Sequence, residues 1–136
     1  MSAFVVSEYH IAVLAEYAVN RGCVPHGLPD TAEGLGKAMW EENVKSVVYR
    51  YPSESAETYG EYRHPRGVVF QFSRYSPVEI IKAAQCLEYQ SCEHPTWEKS
   101  PVYRLLKWIM SEAIRSLPGY EQAPWGLEAP TTRKTA

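Results

Sequence analysis

Val102, Leu105, Leu106, Ile109, Ala113 and Leu117 recur at spacings of three and four residues, a pattern that brings side chains together only on an α-helix. The stripe follows Ser100-Pro101, a capping hydroxyl and then a residue whose fixed φ suits the first helical position. A stripe this long must be covered by other elements. The segment from Pro101 to about Leu117 is therefore predicted to organise the core, with Arg104, Lys107, Ser111, Arg115 and Ser116 on its wetter sides and Trp108 at the boundary. The same device recurs at Ser76-Pro77-Val78-Glu79, ahead of an apolar face of Ile80, Ile81, Ala84 and Leu87, with Cys86 assigned to packing.

Two further helices are predicted upstream. Ser7 caps a helix whose inward residues are Ile11, Leu14, Ala15 and Ala18, and Gly22 ends it. After a proline-punctuated loop, Asp30 and Glu33 resemble a capping box at the head of a second helix. Leu35, Ala38 and Met39, then Trp40, Val44 and Val47, continue it to about Tyr49. Lys45 to Tyr51 also suits a strand, but the 44, 47, 48, 51 spacing is helical and Pro52 provides the stop.

Between the second and third helices, Val68, Phe70 and Phe72 alternate with Gln71 and Ser73, which reads as a strand. The His64-Pro65-Arg66-Gly67 turn would return it onto Tyr59–Arg63. The expected fold class is thus α+β and mainly α: about four packed helices with a short β-hairpin between helices 2 and 3. Residues 1–125 are expected to form one globular domain and 126–136 a flexible tail.

Composition narrows the function classes. No apolar run approaches the ~20 residues of a membrane span, and the N-terminal residues lack the pattern of a secretory signal, so no membrane association is expected. Three cysteines make a poor disulfide framework and suit a reducing, cytoplasmic setting. A net charge of −2 disfavours non-specific nucleic-acid binding. Asp30 is the sole aspartate, so the chain cannot build the paired aspartates on which magnesium-dependent phosphoryl transfer leans.

Catalytic signatures are missing too: there is no glycine-rich phosphate loop, no G-x-S-x-G elbow and no His-Glu-x-x-His. The expectation is that the chain is not an enzyme, carries no cofactor and holds no metal. Cys23, His26, Cys92 and His94 do offer two thiolates and two imidazoles, a structural zinc set, but at unusual spacings and far apart in the chain. A zinc-stabilised domain or small metalloenzyme is accordingly the third reading.

Tyrosine is the more suggestive feature, with ten in the chain. Tyr49, Arg50 and Tyr51 are consecutive, and Tyr62, Arg63 and Arg66 follow across the central loop. Tyrosine and arginine anchor protein interfaces because they are large, amphipathic and lose little freedom when ordered. These six residues are the candidate partner-binding set. The same residue types stack on unpaired bases, so a single-stranded nucleic-acid accessory factor is the alternative. Tyrosines closing the edge of a core, hydroxyl outward, would account for the pattern without function.

Several runs carry a family resemblance: Met1–Ser7 with His10-Ile11, Glu42–Val47, Tyr49-Arg50-Tyr51, Ser76-Pro77-Val78, Lys82-Ala83, Tyr89-Gln90-x-Cys92-Glu93, Leu117–Tyr120 and Ala123-Pro124-Trp125. In these the chain resembles a family of small bacterial proteins met in phage and mobile-element neighbourhoods, outside the loops near 23–30 and 53–66. The resemblance carries over no catalytic residue. It implies an accessory or anti-defence role, of which an anti-CRISPR inhibitor is one specific form. Together with the tyrosine–arginine set, it leads to the expectation of a non-enzymatic protein that binds a protein partner.

Overall fold

The computed structural model describes residues 5–65 and 76–117. Four helices make up most of them: Glu8–Arg21 (α1), Ala32–Arg50 (α2), Pro77–Ser91 (α3) and Pro101–Arg115 (α4). Each begins where a hydroxyl can accept from an otherwise orphaned backbone donor. Ser7 accepts from the His10 N–H, Thr31 from Gly34, Ser76 from Glu79 and Ser100 from Val102. The second helix thus starts from Thr31 rather than Asp30. Gly22 closes α1 in the left-handed conformation at φ 69°, which glycine adopts without a Cβ penalty.

The helices pack most extensively as α3 on α4 and α1 on α2, and α2 and α1 also touch α3. Ile11 and Leu14 from α1, Leu35 and Met39 from α2, Ile80 and Leu87 from α3, and Leu105, Leu106 and Ile109 from α4 are enclosed completely. The α4 stripe is therefore core, and Trp108 lies at its boundary. Ser111 departs from expectation: it is buried, because the covered face of α4 extends through Ser111–Ile114. Cys86 departs in the other direction and is exposed on the outer side of α3.

One seam of the interior is polar. Asn43 and Ser46 of α2, and Gln90 and Ser91 of α3, are buried with Trp97 of the 3-10 turn Trp97–Lys99. Around them run cross-links: Ser100 donates to Glu42 at 3.1 Å, and the Lys45 ammonium donates to Thr96 Oγ1 at 3.3 Å. Lys107 of α4 pairs with Glu88 of α3.

The hairpin expectation is overturned. No strand occurs among the described residues. Tyr59–Arg63, its expected first arm, follows a 3-10 turn at Ala56–Thr58 and forms no ladder. The physical reason is that this segment finds its hydrogen-bond partners on helices. The Arg63 backbone N–H donates to Glu8 of α1 at 2.7 Å, and the Trp40 indole of α2 donates to the Gly60 carbonyl at 3.1 Å. The expected second arm, Val68–Phe72, lies outside the described residues, as do Arg66 and the expected tail at 126–136. The protein is mainly helical, and among the described residues no helix is long and apolar enough to cross a membrane.

Candidate functional site: an exposed tyrosine face

The six residues singled out in the sequence fall into two places. Tyr49, Arg50 and Tyr51 end α2. After Pro52 the chain doubles back along that helix, so Tyr62 rests on Gly36, near its other end. Gly36 and Tyr49 are thirteen positions apart on the helix, about 20 Å along the axis at 1.5 Å per residue. Arg63 is exposed beside Tyr62.

The Tyr62 place is closed. Its ring lies 6.3 Å from that of Trp40, and its hydroxyl is hydrogen-bonded to His64 Nδ1 at 2.8 Å. His64 Nε2 in turn meets Glu16 Oε2 of α1 at 3.1 Å. Gly36 is required here by close approach, since a Cβ would come within 2.6 Å of the Tyr62 hydroxyl oxygen. Burial raises the Tyr62 phenol well above its ordinary range, and Glu8, Glu16 and Glu33 push the same way because a phenolate would face three carboxylates. A cleft of about 440 Å³ between Glu16, Thr31, Glu33 and His64 adjoins it. Tyrosine, imidazole and carboxylate thus form a continuous hydrogen-bonded tie between the loop and α1.

The other place is open. Tyr49, Tyr51 and Tyr89 are 50%, 41% and 69% exposed. Arg50 anchors the last of them: its guanidinium donates to Glu93 at 2.5 Å and lies 4.7 Å from the centre of the Tyr89 ring. The hydrogen bond to Glu93 stabilises the charged guanidinium further. His94 packs against Tyr49 with centroids 5.0 Å apart. Beside these rings a groove of about 520 Å³ runs between Tyr51 and α3, lined by Lys82, Gln85, Cys86, Tyr89 and Gln90.

Tyr89 and the groove residues were not among the sequence candidates. A signal was present: with Ile80, Ala84 and Leu87 facing inward, helical spacing sends Lys82, Gln85, Cys86 and Tyr89 outward, and an outward tyrosine is a conspicuous residue.

Among the described residues, no group of three or more histidine, cysteine, aspartate or glutamate side chains could hold a metal ion. The zinc reading fails on the surroundings of its own members. Cys23 is buried, with its thiol directed to the Arg21 carbonyl at 3.8 Å, whereas the exposed Cys92 directs its thiol to the Tyr89 carbonyl at 3.4 Å. His94 Nδ1 accepts from the Thr96 backbone at 3.2 Å.

Comparison with known proteins gives no match to a family model, to a curated protein or to a solved structure.

Proposed function

We propose that this chain is a non-enzymatic binding protein that engages a protein partner through Tyr49, Arg50, Tyr51 and Tyr89. The observation that carries the reading is the grouping of three exposed tyrosines around an arginine fixed by Glu93. The Tyr89 and Tyr49 rings, already ordered by Arg50 and His94, lose little further freedom on binding, which is how aromatic anchors contribute affinity. Tyr62, closed in by Gly36 and Trp40, is assigned to stability rather than contact. Exposed Cys86 and Cys92 favour a reducing, cytoplasmic setting, where both stay free thiols. The family resemblance favours a mobile-element origin and a partner within a host defence system, inhibited in the manner of an anti-CRISPR protein.

The test compares capture from bacterial lysate by the wild type and by Tyr51→Ala/Tyr89→Ala, with circular dichroism confirming that both are folded. A protein retained by the first and lost from the second supports the reading. Identical recoveries contradict it.

The exposed rings also support the alternative of stacking on single-stranded bases. That reading demands binding which weakens steeply with salt, because phosphate contacts release counterions. Fluorescence anisotropy with labelled oligothymidylate at low salt decides it, and an unchanged signal removes it.

A further inference from the structure

The groove along the outer side of α3 has an uneven chemistry. Among the described residues its lining is Tyr51, Lys82, Gln85, Cys86, Tyr89 and Gln90, with no carboxylate. Lys82 is exposed and forms no ion pair among the described residues, whereas the nearby Arg50 has Glu93 as its partner. At the other end lies Gln90, only 3% exposed, with an amide nitrogen that donates to no acceptor among the described residues. Other buried polar atoms, among them those of Asn43, Ser46 and Ser91, lack a partner as well, but of these residues Gln90 is the one that lines the groove, and a buried donor without a partner is costly.

Spacing defines what could bring that acceptor. Lys82 and Gln90 are eight residues apart on α3, about 12 Å along the axis at 1.5 Å per residue. An extended peptide advances about 3.3 Å per residue and covers that distance in roughly four residues. Resting on the protein-binding reading above, we propose that the groove takes an extended acidic segment of the partner protein. A glutamate or aspartate side chain meets Lys82, a backbone carbonyl about four residues away accepts from Gln90, and the intervening side chains lie against Tyr51 and Tyr89. A nucleic-acid strand fits less well. It would present a row of phosphates to one unpaired cation, and the next cation, Arg50, is already matched by the exposed Glu93 carboxylate.

The experiment is a ¹⁵N-correlation NMR titration of the full chain with a blocked tetrapeptide bearing glutamate first and apolar residues after it. The same peptide with glutamine first, and oligothymidylate, are titrated in parallel. The expected result is shifts in the Gln90 side-chain amide and in the backbone amides of 82–90, with the glutamate peptide at least threefold tighter than its glutamine counterpart. Lys82→Glu, at an exposed position, should weaken that peptide at least tenfold, and Lys82→Arg should retain most of the affinity. Equal affinity for the two peptides, shifts confined to other residues, or tighter binding of the oligonucleotide would overturn the proposal. A partner lost from Tyr51→Ala/Tyr89→Ala but held unchanged by Lys82→Glu overturns the acidic-segment proposal alone and leaves the protein-binding reading standing.

Discussion

Tyr62 and Tyr89 are the same residue type put to opposite uses. Tyr62 lies over Gly36 beside Trp40, its hydroxyl tied through His64 to Glu16. Tyr89 stands 69% exposed, touching the protein mainly through the Arg50 guanidinium over its ring. The first place spends its aromatic surface on holding a loop against α1 and α2. The second leaves that surface uncovered by the described residues, open to a partner. Residue type announces neither outcome; what decides is whether the opposite wall is glycine and tryptophan or solvent.

Substitutions at the closed place should therefore act on stability, and those at the open place should not. The largest effect is expected for Trp40→Ala, which removes a nearly buried ring and the donor to Gly60. It should cost about 3–5 kcal/mol in urea denaturation, as large-to-small aromatic changes do. A loss below about 1 kcal/mol would mean that the loop contributes little and that the contrast is misdrawn.

Alkaline titration reads buried tyrosines without mutation. Burial pushes the Tyr17 phenol from 10 up to about 12, with Glu112 adding to the shift and Arg21 opposing it. The folded state then holds its proton where the unfolded chain has lost it. Stability from this group is present below pH 10 and is lost as pH rises through about 12, by at most about 3 kcal/mol at about 1.4 kcal/mol per unit. Tyr62 is raised as well and adds in the same direction. Absorbance near 295 nm should show these two phenols ionising last, together with loss of helical dichroism. Ionisation of every tyrosine with the helices intact would contradict the burial.

Gly36→Ala offers a sharper probe, because two effects oppose. Alanine gains up to ~1 kcal/mol over glycine inside a helix. Against that, its Cβ would enter within 2.6–2.7 Å of three Tyr62 atoms, and overpacking costs ~1–3 kcal/mol. A net loss of about 1 kcal/mol is expected in the wild-type background, and a gain when Tyr62 is also alanine. That reversal of sign, seen in thermal melts, is the signature of the contact. At the bottom of the scale, Tyr89→Ala should move the denaturation midpoint by less than about 0.5 kcal/mol while abolishing partner capture.

The parts of this fold legible in the sequence are those where one cause acts alone. The starts of α3 and α4 follow from Ser76-Pro77 and Ser100-Pro101, and the α4 stripe needs no tertiary information to be recognised as core. α2 is harder to read, because Gly36, Asn43 and Ser46 are buried among its apolar residues and break the stripe. The misreading of Tyr59–Arg63 as a hairpin arm has the same kind of origin. Alternation and turn residues describe a segment that could pair with a strand, but its actual partners, Glu8 and Trp40, lie far away in sequence. The candidate site was half legible for that reason: Tyr49, Arg50 and Tyr51 were visible as a run, whereas Tyr89 joins them only through the packing of α3 beside α2.

The tie between His64 and Glu16 has a further consequence for how this molecule opens. The residues from Pro52 to Pro65 are fastened by side-chain hydrogen bonds and by Tyr59 and Tyr62 at the edge of the core, while the four helices share the apolar interior itself. Fastenings of that sort can be released together without breaching the bundle, which makes the segment a cooperative unit whose opening free energy lies below that of the bundle. In hydrogen exchange, amides of this segment would report the release of the loop, and those near Leu105 the unfolding of the whole chain. One molecule would then keep two clocks, and the faster is set by a histidine and a carboxylate.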